Sequence, residues 1–158
     1  MTAANDFRTP AERDEAELRG QIGKVVEALG AKDLEALRRL YTADVLSFDI
    51  EPPLQHAGIA AKLGNWARAF RFFETVIYEI RDLRFTVGGE VAFGHAFARL
   101  RGTLPSGAAT DGGWVRVTYG MRKIDGRWLI AHDHVSVPLD ISSGLGVVDL
   151  QPLPAQAP

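Results

Sequence analysis

The sequence predicts an α+β domain in which helices come first and antiparallel strands follow. Three observations carry this. Up to about residue 73, apolar residues recur at spacings of three and four, the repeat of helices with one buried face. From residue 74 that repeat gives way to long runs rich in strand-forming residues. Between those runs stand Gly88-Gly89 and Asp125-Gly126, two-residue loops of the kind that join antiparallel neighbours.

Residues 1–8 read as a loose arm, 9–138 as the domain and 139–158 as a tail. The first helix starts at Thr9-Pro10-Ala11-Glu12, where Thr9 can cap, Pro10 suits the first helical position and Glu12 completes a capping box. Its stripe is Leu18, Ile22, Val25, Val26 and Leu29, and Gly30 ends it. Asp33 caps a second helix whose apolar side is Leu34, Leu37, Leu40 and Tyr41, so the two form a hairpin. Val45 to Asp49 is a short strand, broken by Glu51-Pro52-Pro53 because proline cannot continue a ladder. Gly58 precedes a third helix in which Ile59, Leu63, Trp66, Ala67, Phe70 and Phe73 recur.

Long strands follow: Val76 to Ile80 leading into Leu83 to Val87, then Glu90 to Gly102, Trp114 to Ile124, and Arg127 to Val137. Leu104 to Gly113 is a polar connection. In the tail, Leu145, Val147, Val148 and Leu150 are apolar enough to dock, while the last residues, rich in proline, are expected to be mobile.

At 158 residues the chain is one domain of ordinary size, and 46% hydrophobic with 24% charged residues is a soluble globular composition. A net charge of -2 offers phosphates no basic field, which argues against nucleic acid as a partner. No run approaches a membrane span, so no membrane partner is expected. The absence of cysteine excludes a thiol nucleophile and suits a reducing cytoplasm, the expected location. Gly88-Gly89 and Gly112-Gly113 read as turns rather than a phosphate loop, and no cofactor is expected.

Two stretches carry a family resemblance. One runs from Ala28-Leu29-Gly30-Ala31-Lys32-Asp33 through Tyr41-Thr42-Ala43-Asp44-Val45 to Phe48-Asp49. The other is Asp125-Gly126-Arg127-Trp128-Leu129-Ile130-Ala131-His132-Asp133-His134-Val135-Ser136-Val137-Pro138. With the order of elements, they make roughly residues 12–138 resemble the nuclear-transport-factor-2-like superfamily, in particular its ketosteroid isomerase-like, SnoaL-like polyketide cyclase subset. The resemblance implies three N-terminal helices packed on a curved, mostly antiparallel sheet enclosing a conical cavity. It also implies a cofactor-independent isomerase, cyclase or dehydratase acting by acid–base chemistry on an apolar carbonyl compound. This fold hosts enzymes and binders alike, so the alternative is a non-catalytic ligand-binding or dimerisation module.

By the same resemblance Asp49 falls at or near the general base of ketosteroid isomerase. Two roles fit it: a base taking a proton beside a carbonyl, or a cap for the turn into Glu51-Pro52-Pro53. Steroid isomerisation itself is disfavoured, because Val25 stands where a tyrosine donor is expected and residues 114–122 contain no aspartate. Alternation places His132 and His134 on one strand face, Arg116 and Thr118 on one face of the preceding strand, and Phe93, His95, Phe97 and Arg99 on one face of the strand before. Were these faces to coincide, His95 and His134 would serve Asp49 as acid or orienting groups, and Phe93, Phe97, Arg116, Thr118 and His132 would contact substrate. Trp66 and Phe70 would roof the cavity, although ordinary core packing explains both rings. His132-x-His134 has a zinc-ligand spacing to which Asp49 or His95 could add a third ligand, but the chain has four histidines and no cysteine, and no metal is expected. The expected partners are a small apolar molecule and a second copy of the chain. That copy would dock through the sheet face left uncovered by the helices, with Val76, Tyr78, Ile80 and Trp114 or Val115 as candidates.

Overall fold

The computed structural model describes residues 8–154; most of the expected N-terminal arm and the last four tail residues lie outside them. Helix α1 spans Pro10–Gly30. The predicted capping box is present: the Glu12 N–H donates to Thr9 Oγ1 at 3.2 Å and the Thr9 N–H donates to Glu12 Oε2 at 2.6 Å. Leu18, Ile22, Val25 and Leu29 are its buried stripe, joined by Gln21 and Ala28.

Helix α2, Leu34–Arg38, is shorter than its apolar pattern suggests. Tyr41 belongs to the next element, strand β1 at Tyr41–Phe48, because strand pairing is available there: β1 runs parallel to the last long strand of the sheet. After the Pro52-Pro53 turn, the short strand β2, His56–Ala57, pairs back on β1. Helix α3, Ile59–Phe72, starts after Gly58, whose φ of 82° suits glycine.

The rest is sheet: β3 Thr75–Gly88, β4 Val91–Thr103, a two-residue β5 at Ala109–Thr110, β6 Trp114–Ile124 and β7 Arg127–Ser136. Strand order is β2-β1-β7-β6-β4-β3, with β5 beside β4. All neighbours are antiparallel except β1 with β7. The fold is therefore three helices on a curved, mostly antiparallel sheet. The β6–β7 turn is Asp125-Gly126 as expected, both residues at positive φ. The β3–β4 loop sits one residue later than expected, at Gly89-Glu90, because Gly88 already pairs with Val91. In the tail, β8 (Leu139–Asp140) and β9 (Leu145–Gly146) form a small hairpin, after which the chain crosses Gly113.

Which side of each strand meets the helices decides everything that follows. Over residues 92–98 of β4 the inward residues are small: Ala92, Ala96 and Ala98 are buried, while Phe93 is 53% exposed and His95 exposed. Crowding explains this. At Gly94 a Cβ would come within 2.6 Å of the Phe85 ring, so the concave side has no room for bulk there. On β6, Val117, Tyr119 and Met121 point inward. On β7, Trp128 and Ile130 point inward, and then a β-bulge intervenes: Gly120 faces His132 but Met121 faces Ile130, leaving Ala131 unpaired. One extra residue exchanges the faces, so Asp133 points in and His132 and His134 point out. Val76 is buried and Ile80 packs against the core, so the sheet-face candidates Val76, Tyr78 and Ile80 belong to the interior, whereas Trp114 lies on the outer side beneath Arg81 and Arg99. No helix of the described residues is long and apolar enough to cross a membrane.

Candidate functional site

Between α1, α3 and the concave sheet face lies a cavity of about 530 Å³. Its wall is mostly apolar, built from Val25, Leu100, Val115, Val117, Val135 and Phe73, and the tail contributes Val148. Its polar groups converge from separate elements: Tyr41 and Asp49 from β1 and its end, Lys62, Asn65 and Trp66 from α3, Tyr78 from β3, Tyr119 from β6 and Asp133 from β7. A second depression, about 690 Å³, lies outside between α1, α2 and the Asp125-Gly126 turn. Its rim mixes Glu17, Lys24, Glu27 and Arg39, and its Gln21 amide is already spent on the Trp128 carbonyl, so the inner cavity is the better candidate site.

At the centre of the site is an ion pair. Lys62 Nζ lies 2.7 Å from Asp133 Oδ2, with the side chains only 2% and 4% exposed. The ammonium also donates to Ser47 Oγ at 3.0 Å and sits 5.7 Å from the centroids of both the Tyr41 and Trp66 rings. The Tyr41 hydroxyl donates to Asp133 Oδ2 at 3.4 Å. Among the described residues the buried Asp133 Oδ1 has no hydrogen-bond partner, while the Trp66 indole interacts with the Tyr41 hydroxyl.

The cavity holds all the tyrosines of the chain, and burial drives all three phenols above the ordinary tyrosine range. The Asp133 charge adds to this at each of them, and the Asp49 charge adds to it at Tyr78. They are therefore neutral hydrogen-bond donors across the physiological range. Asp49 sits at the rim. Its Oδ1 accepts the Ile50 N–H at 2.8 Å and its Oδ2 accepts the Asn65 amide at 2.7 Å.

Of the residues singled out in the sequence, Asp49 and Trp66 line the cavity. Phe70 stacks on Trp66 at 6.1 Å from behind it. The others share a face, as alternation requires, but the outer one. His95, Thr118 and His134 are in register across β4, β6 and β7, all exposed. Phe93 and Phe97 continue that face, and Arg116 donates to Ser136 Oγ at 3.1 Å. His132 uses Nδ1 on the Leu46 carbonyl at 2.6 Å, and Phe48 packs edge-on against both His132 and His134. This corrects the expected placement: seven residues meant for the cavity wall lie outside it, because β4 turns its small residues inward and β7 is bulged. Among the described residues no group of three histidine, cysteine or carboxylate side chains is placed to hold a metal.

Sequence reasoning missed Tyr41, Lys62, Tyr78, Tyr119 and Asp133. Lys62 had a signal, since it falls on the apolar stripe of α3 with Ile59, Leu63 and Trp66.

The architecture defines an NTF2-like fold. A Pseudomonas putida NTF2-like protein of unknown function superposes with a TM-score of 0.80 at 26% identity, over 89% of this chain and 98% of that one. A candidate dehydratase of the NTF2-like family from Streptomyces avermitilis gives 0.72 at 19% identity, over 82% and 99%. A candidate aromatic ring hydroxylase from Novosphingobium aromaticivorans gives 0.66 at 16%, over 81% and 90%. Within that fold the chain belongs to the SnoaL-like domain family, whose model matches residues 21–140. No curated protein matches it.

Proposed function

We propose that the protein is a cofactor-independent isomerase, cyclase or dehydratase that acts by acid–base chemistry on an apolar carbonyl compound. The observation that carries this reading is the pairing, in one apolar cavity, of a rim carboxylate, Asp49, with a phenol, Tyr78, close enough to feel its charge. Asp49 takes a proton from the carbon beside the carbonyl, and the electron pair moves onto the carbonyl oxygen. Tyr78, kept neutral by burial, donates to that oxygen as its charge develops. Return of the proton elsewhere is isomerisation, attack of the enolate on an internal electrophile is cyclisation, and expulsion of a β-hydroxyl is dehydration. The valine-rich wall keeps water from competing.

The test is deuterium uptake from heavy water at the α-carbon of a panel of apolar ketones, read by mass spectrometry. Catalysed uptake that falls at least about a hundredfold in Asp49→Asn, and more modestly in Tyr78→Phe, supports the reading. Uptake that is indifferent to Asp49 removes it.

A second reading, a binding module without catalysis, is favoured by the Ile50 and Asn65 donors that already occupy Asp49. It predicts tight ligand binding with no exchange. For assembly we propose a homodimer through the outer sheet face, supported by the exposure there of Phe93 at 53% and Ile77 at 46%. Light scattering that gives a monomer would overturn it. A cytoplasmic location is proposed on the cysteine-free sequence.

A further inference from the structure

Helix α3 turns one stripe toward the cavity, and Lys62, Asn65, Trp66 and Ala69 lie on it at spacings of three and four. Asn65 is the one amide of that stripe, and both ends of it are engaged. Its Nδ2 donates to Asp49 Oδ2 at 2.7 Å, and its Oδ1 accepts from Arg68 Nη2 at 2.7 Å. The Ile50 N–H donates to the other oxygen of Asp49 at 2.8 Å. Arg68 lines the cavity as well, so a directional chain runs along its rim from guanidinium to amide to carboxylate. Reversing the amide would set its oxygen against the carboxylate and its NH2 against the guanidinium, so the two bonds together admit one orientation.

We infer that Asn65 is a positioning residue for Asp49, and that Arg68 acts through Asn65 by locking its amide. A bond between residues three apart, such as that from Arg68 to Asn65, is ordinary on a helix surface. Here it is continued to a second element, from α3 to the end of β1, and finishes on the carboxylate proposed as the base. A carboxylate free to turn about its side-chain bonds aims at a substrate only part of the time. Asp49 is held at both oxygens, which fixes the plane of its carboxylate, and each oxygen keeps a second lone pair with which to take a proton. Leucine would fill an apolar wall without an amide to desolvate, so packing alone does not call for asparagine on this stripe. The holding of Asp49 stands on the geometry, and its catalytic effect rests on the proton transfer proposed above.

Two measurements on the full chain test this. In the deuterium-uptake assay, Asn65→Leu should lower kcat roughly ten- to a hundredfold and leave KM for the ketone nearly unchanged. A wall that had merely loosened would raise KM as well. Arg68→Ala, at an exposed position, keeps the test open if Asn65→Leu fails to fold. It should lower kcat severalfold, and Arg68→Lys should restore most of the loss. Because Arg68 works through Asn65, the double variant should be no slower than Asn65→Leu alone. The second measurement needs no turnover. The chain has two asparagines, Asn5 and Asn65, so isotopic nitrogen labelling of asparagine gives two side-chain NH2 signals in a magnetic-resonance spectrum, and Asn65→Leu assigns them. The Asn65 signal should move in both Asp49→Ala and Arg68→Ala. A signal indifferent to either variant, a kcat that Asn65→Leu leaves intact while uptake still needs Asp49, or losses that multiply in the double variant overturns the inference. Asp49-dependent uptake in any of those cases keeps the enzymatic reading. Wild-type protein that exchanges nothing, with a signal that moves in both variants, removes the enzymatic reading and keeps the positioning of Asp49.

Discussion

Lys62 and Asp133 meet at 2.7 Å from opposite walls of the molecule, one on helix α3 and the other on strand β7, with almost no water on either side chain. The pair thus ties the helical layer to the sheet at the floor of the cavity. A buried pair of this kind is costly to break from one side and cheap to replace whole, because the penalty lies in the charge left behind. Lys62→Met alone, or Asp133→Leu alone, should cost roughly 3–5 kcal/mol in urea denaturation. The double substitution should recover most of that loss, and a strictly additive loss would contradict the account.

The three cavity phenols should be silent in an alkaline titration. Burial holds their native ionisation above the unfolded value near 10, so the native state binds more protons than the unfolded chain above that pH. The stability this lends is intact below about pH 10 and falls as pH rises further. Near-ultraviolet absorbance should therefore show no tyrosinate until the protein unfolds, and then all of it in one step. A smooth native-state titration near pH 10 would mean that the cavity is wet.

Acid should act through Asp14. A hydrogen bond from Lys123 holds its carboxyl below the ordinary range, burial opposes this, and the Trp128 indole adds a second donor at 3.1 Å. A carboxyl lowered on folding stabilises the native state above its unfolded pKa, and that contribution fades as pH falls through the folded value. Melting temperatures of wild type and Asp14→Asn should differ most at neutral pH and converge below about pH 4. Lys123 is raised by the same contact, so its share is intact below the ordinary lysine range and is lost as pH rises through the folded value.

One substitution at two glycines should have opposite signs. At Gly102 a Cβ would sit 1.8 Å from the Thr75 carbonyl oxygen, backbone that cannot step aside. Gly102→Ala should cost about 3 kcal/mol or more, or prevent folding. Gly20 is exposed on α1 with nothing within 4 Å of the same position, and Gly20→Ala should stabilise by roughly 0.5–1 kcal/mol. Chemical denaturation of both variants checks the pair.

Element types were legible because they depend on local pattern: the Thr9 capping box, the α1 stripe and the Asp125-Gly126 turn are each encoded within a few residues. The site was less so, because it depends on which way strands face. Alternation grouped His95, Thr118 and His134 correctly, yet nothing local marks Ala131 as the unpaired residue that sends the histidines outward. Nor does the rule that large apolar residues go inside hold over residues 92–98 of β4, where crowding keeps the inner side for alanine and glycine and the phenylalanines go out. Asp49 was found by resemblance. Lys62 was visible only as a charge on an apolar stripe, where a buried partner from a distant strand could not be guessed.

The unpaired Ala131 also acts as a frame marker for the strand. Taking that residue into the ladder opposite Gly120 would slide everything beyond it by one step, turn Asp133 toward solvent and swing His132 and His134 toward the space beside Lys62, whereas deleting it would leave every face as it is. An acidic floor would become an imidazole floor with no change to any residue. Two chemistries thus lie one pairing step apart on the same scaffold, and a lineage of such domains has a short route from one kind of ligand to another.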